Sequence, residues 1–464
     1  MRRRSSRIFL DALNFPRAEM RGVRRRLLLQ CGAGITVLAL LIAAIAFAAA
    51  RQPAMFADLW PNRDRIAVVL IFAATYVVIA LGKLPGFYLD RAGAALLGAS
   101  LIVAVGALSL DEALRAIDFD TIALLLGMMI VVGNLRLSGF FRLITNWVVT
   151  RARHPLLLLA AVILTSGLFS AFLVNDTVCL ALTPLVLDLV IRLRRNPVPY
   201  LLAVAMASNV GSVATITGNP QNIMIGSFAR IPYGVFAGAL LPVAAIGLVL
   251  TFALLAVLHP AEFWARERLR GASAPVHAYW PLVVKSVLVT LTMMAGFFAG
   301  VPPAELALLA GAVLLVTRTV RSGKIYREID WPLLLMFAGL FIVVAGAEKA
   351  LLSPAIIASI GRQHLDRMPV LALVTAALSN LVSNVPAVLV LKPFVMALPD
   401  PRRGWFVVAT TATLAGNLTI LGSVANLIVV QHADRRGVAI GFWTYFRVGA
   451  PLTILTIAAG LLWL

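Results

Sequence analysis

The sequence predicts an all-α polytopic membrane protein of about 11 transmembrane helices, arranged as two inverted repeats that each carry a re-entrant hairpin and a broken helix. Three observations predict this. Apolar residues form 61% of the 464 positions and charged residues 13%, at a mean hydropathy of +0.95, so no water-facing surface of that size could be covered. Apolar runs long enough to cross hydrocarbon recur along the whole chain. One local pattern is also written twice: Leu173-Val174-Asn175-Asp176-Thr177 with Leu182-Thr183-Pro184, and Val382-Ser383-Asn384-Val385-Pro386 with Leu391-Lys392-Pro393. Asn175 and Asn384 stand 209 positions apart (384−175), and Pro184 and Pro393 share that spacing (393−184). Asp120 with Asp330, Asn209 with Asn417 and Pro242 with Pro451 fall close to it.

The elements follow in order. Residues 1–26 form a basic segment with Arg2, Arg3, Arg4, Arg7, Arg17, Arg21, Arg24, Arg25 and Arg26. The positive-inside rule puts it in the cytoplasm. A leading helix, 27–50, lies within the stretch 27–65; its apolar run is too long for a cleaved signal. The first repeat, 66–258, has spans at 66–82, 92–109 and 121–137, a hairpin of 155–173 and 178–191, a broken crossing at 199–229 and a last span at 235–258. A cytoplasmic linker, 259–280, leads to the second repeat, 281–464. That repeat has spans at 281–300, 304–320 and 331–350, a hairpin of 368–382 and 387–398, a broken crossing at 404–433 and a last span at 441–464.

Charge placement gives the same topology as the repetition. Arg151, Arg153 and His154 precede the first hairpin, and Arg192, Arg194 and Arg195 follow it. Both clusters lie inside if Asn175-Asp176-Thr177 is a re-entrant tip. The acidic loop of Asp111, Glu112, Asp118 and Asp120 goes outside. An odd number of crossings in the first repeat turns the second upside down, which leaves the C-terminus outside.

The candidate site lies at the two tips and the two breaks. Gly218 and Gly422 permit non-helical angles, and Pro220 cannot continue a hydrogen-bonded helix. Unwound backbone at membrane depth is tolerated only against protein or a water-filled cavity. Asn175, Asp176, Thr177, Asn209, Thr215, Thr217 and Asn222 from one half should converge with Ser383, Asn384, Asn417, Thr419, Ser423 and Asn426 from the other. Alternatively, such side chains hydrogen-bond helices together and bind nothing. Asp176 is the sharpest candidate: a carboxylate inside a membrane is expensive in its charged form, which suits a proton carrier. A cap at the start of its own helix is the blander role. Lys392 is expected to snorkel to the outer interface, and Asp188 to pair near Arg192.

Composition also excludes alternatives. The +20 net charge sits between apolar runs, so it reads as topology and gives no reason to invoke nucleic acid. Cys31 and Cys179 match no thiolate pattern, and five histidines without helical pairing argue against a metal centre. An intramembrane enzyme would need a base or acid partner that Asp176 lacks.

Two stretches carry a family likeness: Ser208-Asn209-Val210-Gly211 through Gly218-Asn219-Pro220-Gln221-Asn222, and Ala415-Gly416-Asn417 through Gly422-Ser423-Val424-Ala425-Asn426. They resemble the ion transporter superfamily in its citrate-transporter-like branch. That branch includes the arsenite permease ArsB, the P proteins, the NhaD antiporters and, further off, sodium/dicarboxylate symporters. The resemblance implies a scaffold part and a mobile transport part in a homodimer, an elevator-like movement, and a small anionic or neutral metalloid solute at the tips and breaks. It implies no cofactor beyond a coupling ion, with protons favoured and sodium the alternative. The symporters carry Ser-Asn-Thr in both tips; here Asp176 and Val385 depart from that. The expected function is therefore a proton-coupled anion or metalloid permease of the inner membrane, with a sodium/proton antiporter as the alternative and a sodium/dicarboxylate symporter behind it.

Overall fold

A computed structural model describes residues 63–82, 88–151, 154–264, 278–317, 320–351 and 365–464. The expected basic segment and the leading helix at 27–50 lie outside the described residues. The described residues are all-helical. They run α1 (Arg63–Leu81), α2 (Arg91–Ala104), α3 (Leu110–Ala116), α4 (Phe119–Ser138), α5 (Phe140–Arg151), α6 (Pro155–Phe172), α7 (Asn175–Arg192), α8 (Pro197–Ser212), α9 (Pro220–Ala229) and α10 (Tyr233–Leu258). A short α11 (Pro260–Phe263) leads on to α12 (Trp280–Phe298), α13 (Pro303–Leu315), α14 (Ser322–Tyr326), α15 (Trp331–Leu351), α16 (Met368–Val382), α17 (Asn384–Met396), α18 (Pro401–Ala415), α19 (Val424–Asp434) and α20 (Phe442–Trp463). Six of these helices are long and apolar enough to cross a membrane, and shorter apolar helices accompany them. The helix α5, which follows the third span of the first repeat directly, was not anticipated from sequence.

Local chemistry sets the boundaries. Asp90, Asp118, Asn196 and Asp400 accept backbone N–H groups at the starts of α2, α4, α8 and α18, and proline opens α6, α8 and α18. Two residues, Leu173 and Val174, join α6 to α7, and Ser383 alone joins α16 to α17. Ser383 takes φ 80° to make that reversal. Leu173, Val174 and Asn175 are buried, so the first tip ends inside the protein. Helices α16 and α17, of 15 and 13 residues, are too short to cross about 30 Å of hydrocarbon. Both pairs are therefore re-entrant hairpins, as expected.

The two halves pack with exchanged partners. Helix α4 packs on α13, and α15 packs on α2. At each crossing a glycine meets an alanine backbone: a Cβ on Gly127 would lie 2.4 Å from Ala307, and one on Gly339 would lie 2.6 Å from Ala95. Small residues allow this close approach where no hydrophobic force drives helices together. The exchange is that of a two-fold relation between the halves. It also corrects the pairing read from sequence. Ala95/Ala307, Asp118/Asp330 and Gly127/Gly339 are each 212 apart (307−95, 330−118, 339−127), and Asp118 and Asp330 make the same cap to Thr121 and Leu333. Asp330 therefore corresponds to Asp118, and not to Asp120. In the broken crossings the spacing falls to 204, because α17 has 13 residues where α7 has 18. Asn209 then matches Thr413 (413−209), and its likeness to Asn417 is one of composition alone.

Helices α8 and α18 run through the centre, buried over Pro199–Ser212 and Gly404–Ala415. Four ion pairs join residues near the ends of other helices. Arg195–Glu262 (2.8 Å), Arg136–Glu328 (2.7 Å) and Asp188–Arg436 (3.2 Å) join ends assigned to one face, and Lys349–Glu112 (2.6 Å) joins ends assigned to the other. Asp188 thus reaches Arg436, across the two halves, and does not pair near Arg192. Lys392 does not snorkel freely: its Nζ lies 4.5 Å from the centre of the Phe228 ring.

Candidate substrate site

Each broken crossing is held open by its own asparagine. In the first, Asn222 Nδ2 donates to the carbonyls of Ser212 (3.1 Å) and Thr215 (3.0 Å). In the second, Asn426 Nδ2 donates to Gly416 (2.7 Å) and Thr419 (3.1 Å). All three pairs, 212/416, 215/419 and 222/426, keep the spacing of 204 (416−212). The break frees carbonyls from the helix, and the next half-helix supplies an amide to satisfy them. Gly218 and Gly422 are required here. A Cβ would lie 2.1 Å from the Ser212 carbonyl oxygen at the first and 2.8 Å from that of Gly416 at the second.

Asn209 ties the breaks to a tip. Its Oδ1 accepts from Asn175 Nδ2 and from Ser423 Oγ, both at 3.0 Å. Its Nδ2 donates to Asn417 Oδ1 (2.8 Å) and Asn426 Oδ1 (3.0 Å). One buried amide thus bonds the first tip to the second break. Ser170 and Ser208, bonded at 2.7 Å, brace the first hairpin against α8, while Ser379 braces the second through Asn384 Oδ1 and the Ala412 carbonyl.

Around this network lies a cavity of about 40 Å³, room for roughly three water-sized groups. Asn175, Asp176, Ser383, Asn384 and Ser423 line it, as sequence reasoning expected. Asn175 Oδ1 is buried without a hydrogen-bond partner. The residue lines the cavity, and an unpaired buried group of this kind costs about 1–3 kcal/mol. Asp176 does not cap its own helix, whose N-cap Val174 makes no side-chain bond. Its carboxylate instead lies near the Ala425 backbone N–H at the start of α19, the end of a helix that favours negative charge.

The other expected residues serve differently. Asn209, Asn222, Asn417 and Asn426 are spent on the network. Thr215 Oγ donates to the Ala171 carbonyl, and Thr217 Oγ pairs with Tyr233 OH at 2.7 Å, beside Ile216, which faces a second, larger pocket. Thr419 contributes its carbonyl to Asn426. Thr177 lies in the first turn of α7, outside the cavity wall. Sequence reasoning missed Arg91, Gln221 and Ile79, which also line the cavity. Arg91 sits beside Asp90 at the start of a helix, where charge is ordinary, so no local signal marks it. No group of three or more His, Cys, Asp or Glu able to hold a metal occurs among the described residues.

Comparison with known proteins agrees with this architecture. Residues 76–411 match the family described as "Citrate transporter". An uncharacterized transporter of Mycobacterium tuberculosis is 31% identical over 423 residues, covering 86% of this chain and 97% of that one. A silicon efflux transporter of Oryza sativa subsp. japonica is 28% identical, covering 84% and 95%. A putative transporter arsB of Dictyostelium discoideum is 24% identical, covering 85% and 90%. Among solved structures, the Alcanivorax borkumensis YdaH transporter superposes with a TM-score of 0.54 at 15% identity, covering 86% and 97%.

Proposed function

The chain belongs to the citrate transporter family, and from that premise we propose that it is a proton-coupled secondary transporter of a small, weakly acidic inorganic oxyacid of the arsenite or silicic acid class. Members and relatives are transporters, so the enzyme reading is dropped. The observation that carries the proposal is the cavity itself. Its polar wall, the side chains of Asn175, Asn384, Gln221, Ser383, Ser423, Asp176 and Arg91, suits a small solute that presents several oxygens. The silicon efflux and arsB names of two relatives point the same way. In this reading Asn175, Asn384, Ser383 and Ser423 replace water around the solute, and Asp176 carries the coupling proton. The protein works as a homodimer in the cell's inner membrane with its N-terminus cytoplasmic, and the hairpins and broken helices move against the helices that carry Gly127 and Gly339.

Purified protein in proteoliposomes with an internal pH-sensitive dye tests this. Gradients of arsenite and of orthosilicic acid should drive proton movement. Asp176→Asn should bind solute and lose that movement. Transport of citrate in place of both oxyacids would refute the solute class, and unaltered proton movement in the variant would remove Asp176 from coupling. Sodium-driven proton movement without any oxyacid would select the sodium/proton antiporter.

A further inference from the structure

Residues that the fold needs occur in both halves: Ala95 with Ala307, Asp118 with Asp330, Gly127 with Gly339, and Asn222 with Asn426. Two charged positions on the cavity break this rule. Asp176 corresponds to Val385 at the spacing of the hairpins (385−176, or 209), and Arg91 corresponds to Pro303 at the spacing of the crossing helices (303−91, or 212). Arg91 and Pro303 are both the first residues of their helices, so folding that helix end does not require an arginine. Both departures face the same cavity.

Arg91 is half-buried, and no ion pair forms on it among the described residues. Its guanidinium lies beside Gly82, where a Cβ would stand 3.7 Å from Nε. Of the carboxylates nearby, Asp176 on α7 lines the cavity, Asp330 caps α15 through the Leu333 N–H, and Asp90 is committed to the Gly93 N–H. A guanidinium left without an anion in such a place has five donors and no acceptor.

We propose that Arg91 is the anion-reading side chain of this site: it pairs with an ionised oxygen of the bound oxyacid, while Asn175 and Asp176 accept from its remaining hydroxyls. This rests on the oxyacid reading above and narrows it. The species held is the singly deprotonated acid, which offers an acceptor to Arg91 and donors to Asn175 and Asp176. A fully neutral hydroxide leaves the guanidinium unpaired, and a fully ionised oxyanion leaves Asn175 Oδ1 unpaired and meets the Asp176 carboxylate.

The test is arsenite and orthosilicic acid uptake into proteoliposomes over a pH series spanning each solute's first ionisation, in wild type, Arg91→Gln and Arg91→Lys. Loss of a charge-assisted pair raises the apparent KM of Arg91→Gln about 10- to 100-fold where the solute is ionised. The ratio shrinks toward one where the solute is neutral, and Arg91→Lys recovers part of the loss. Equal KM values for wild type and Arg91→Gln across the series would overturn the role of Arg91 and leave the oxyacid reading standing. Failure of the wild type to carry either solute would sink both. Thermal unfolding of each variant separates misfolding from lost binding. If Arg91→Gln is unstable, a pH-independent KM in a folded Arg91→Lys protein overturns the proposal by itself.

Discussion

Replacing Asn209 by alanine removes four side-chain hydrogen bonds at once, since its amide accepts from Asn175 and Ser423 and donates to Asn417 and Asn426. Side-chain hydrogen bonds between membrane helices average about 0.6 kcal/mol, and typical buried ones about 1 kcal/mol. Four of them therefore set a loss of about 2–4 kcal/mol, roughly 30- to 1,000-fold in the folding equilibrium. Asn417 and Asn426 keep their own donated bonds to Met206 and to Gly416 and Thr419, which argues for the lower end. Asn209→Asp sharpens the test. It retains the oxygen that Asn175 and Ser423 use, but turns the other toward Asn417 Oδ1 and Asn426 Oδ1, so it should be at least as harmful as alanine. Tryptophan-fluorescence unfolding of the purified protein in detergent measures both. Asn209→Ala combined with Asn417→Ala should lose less than the sum of the two, because they share a bond. An Asn209→Ala protein that unfolds like wild type, with additive doubles, would refute the idea that this amide joins the halves.

Gly127→Ala and Gly339→Ala should each destabilise the protein, since the new methyl meets a backbone at 2.4 Å and 2.6 Å. Gly238→Ala, with nothing within 4 Å, should be neutral or gain up to about 1 kcal/mol from helix propensity. The same unfolding assay separates them, and equal behaviour of all three would discount the close crossings. For topology, single cysteines at Ala152 and Asn196, in a background lacking Cys31 and Cys179, should label from one side only. Cysteines at Asp366 and Arg402 should label only from the opposite side. Split labelling within either pair would contradict the re-entrant hairpins.

The fold class, the two hairpins and the two breaks were legible in the sequence because each leaves a local mark. Those marks are long apolar runs, a proline in each hairpin's second helix, glycines where backbone must approach backbone, and arginines that favour one side. A duplicated chain states them twice, so chance resemblance is unlike the pattern seen. The candidate tips, Asn175 with Asp176 and Ser383 with Asn384, were legible for the same reason, and five of the expected residues do line one cavity. Only the tertiary structure decided how the polar residues divide. Asn209 became the bond between halves and the two break asparagines became the supports of their own loops, because a buried amide binds whatever acceptor packing brings to it, and that partner lies some 200 positions away (417−209). Arg91 was invisible for a related reason. A charge beside a helix start is ordinary in sequence, and its meaning came only when α2 packed on α1 and α15, which brought the Arg91 guanidinium and the Asp176 carboxylate to the wall of one cavity.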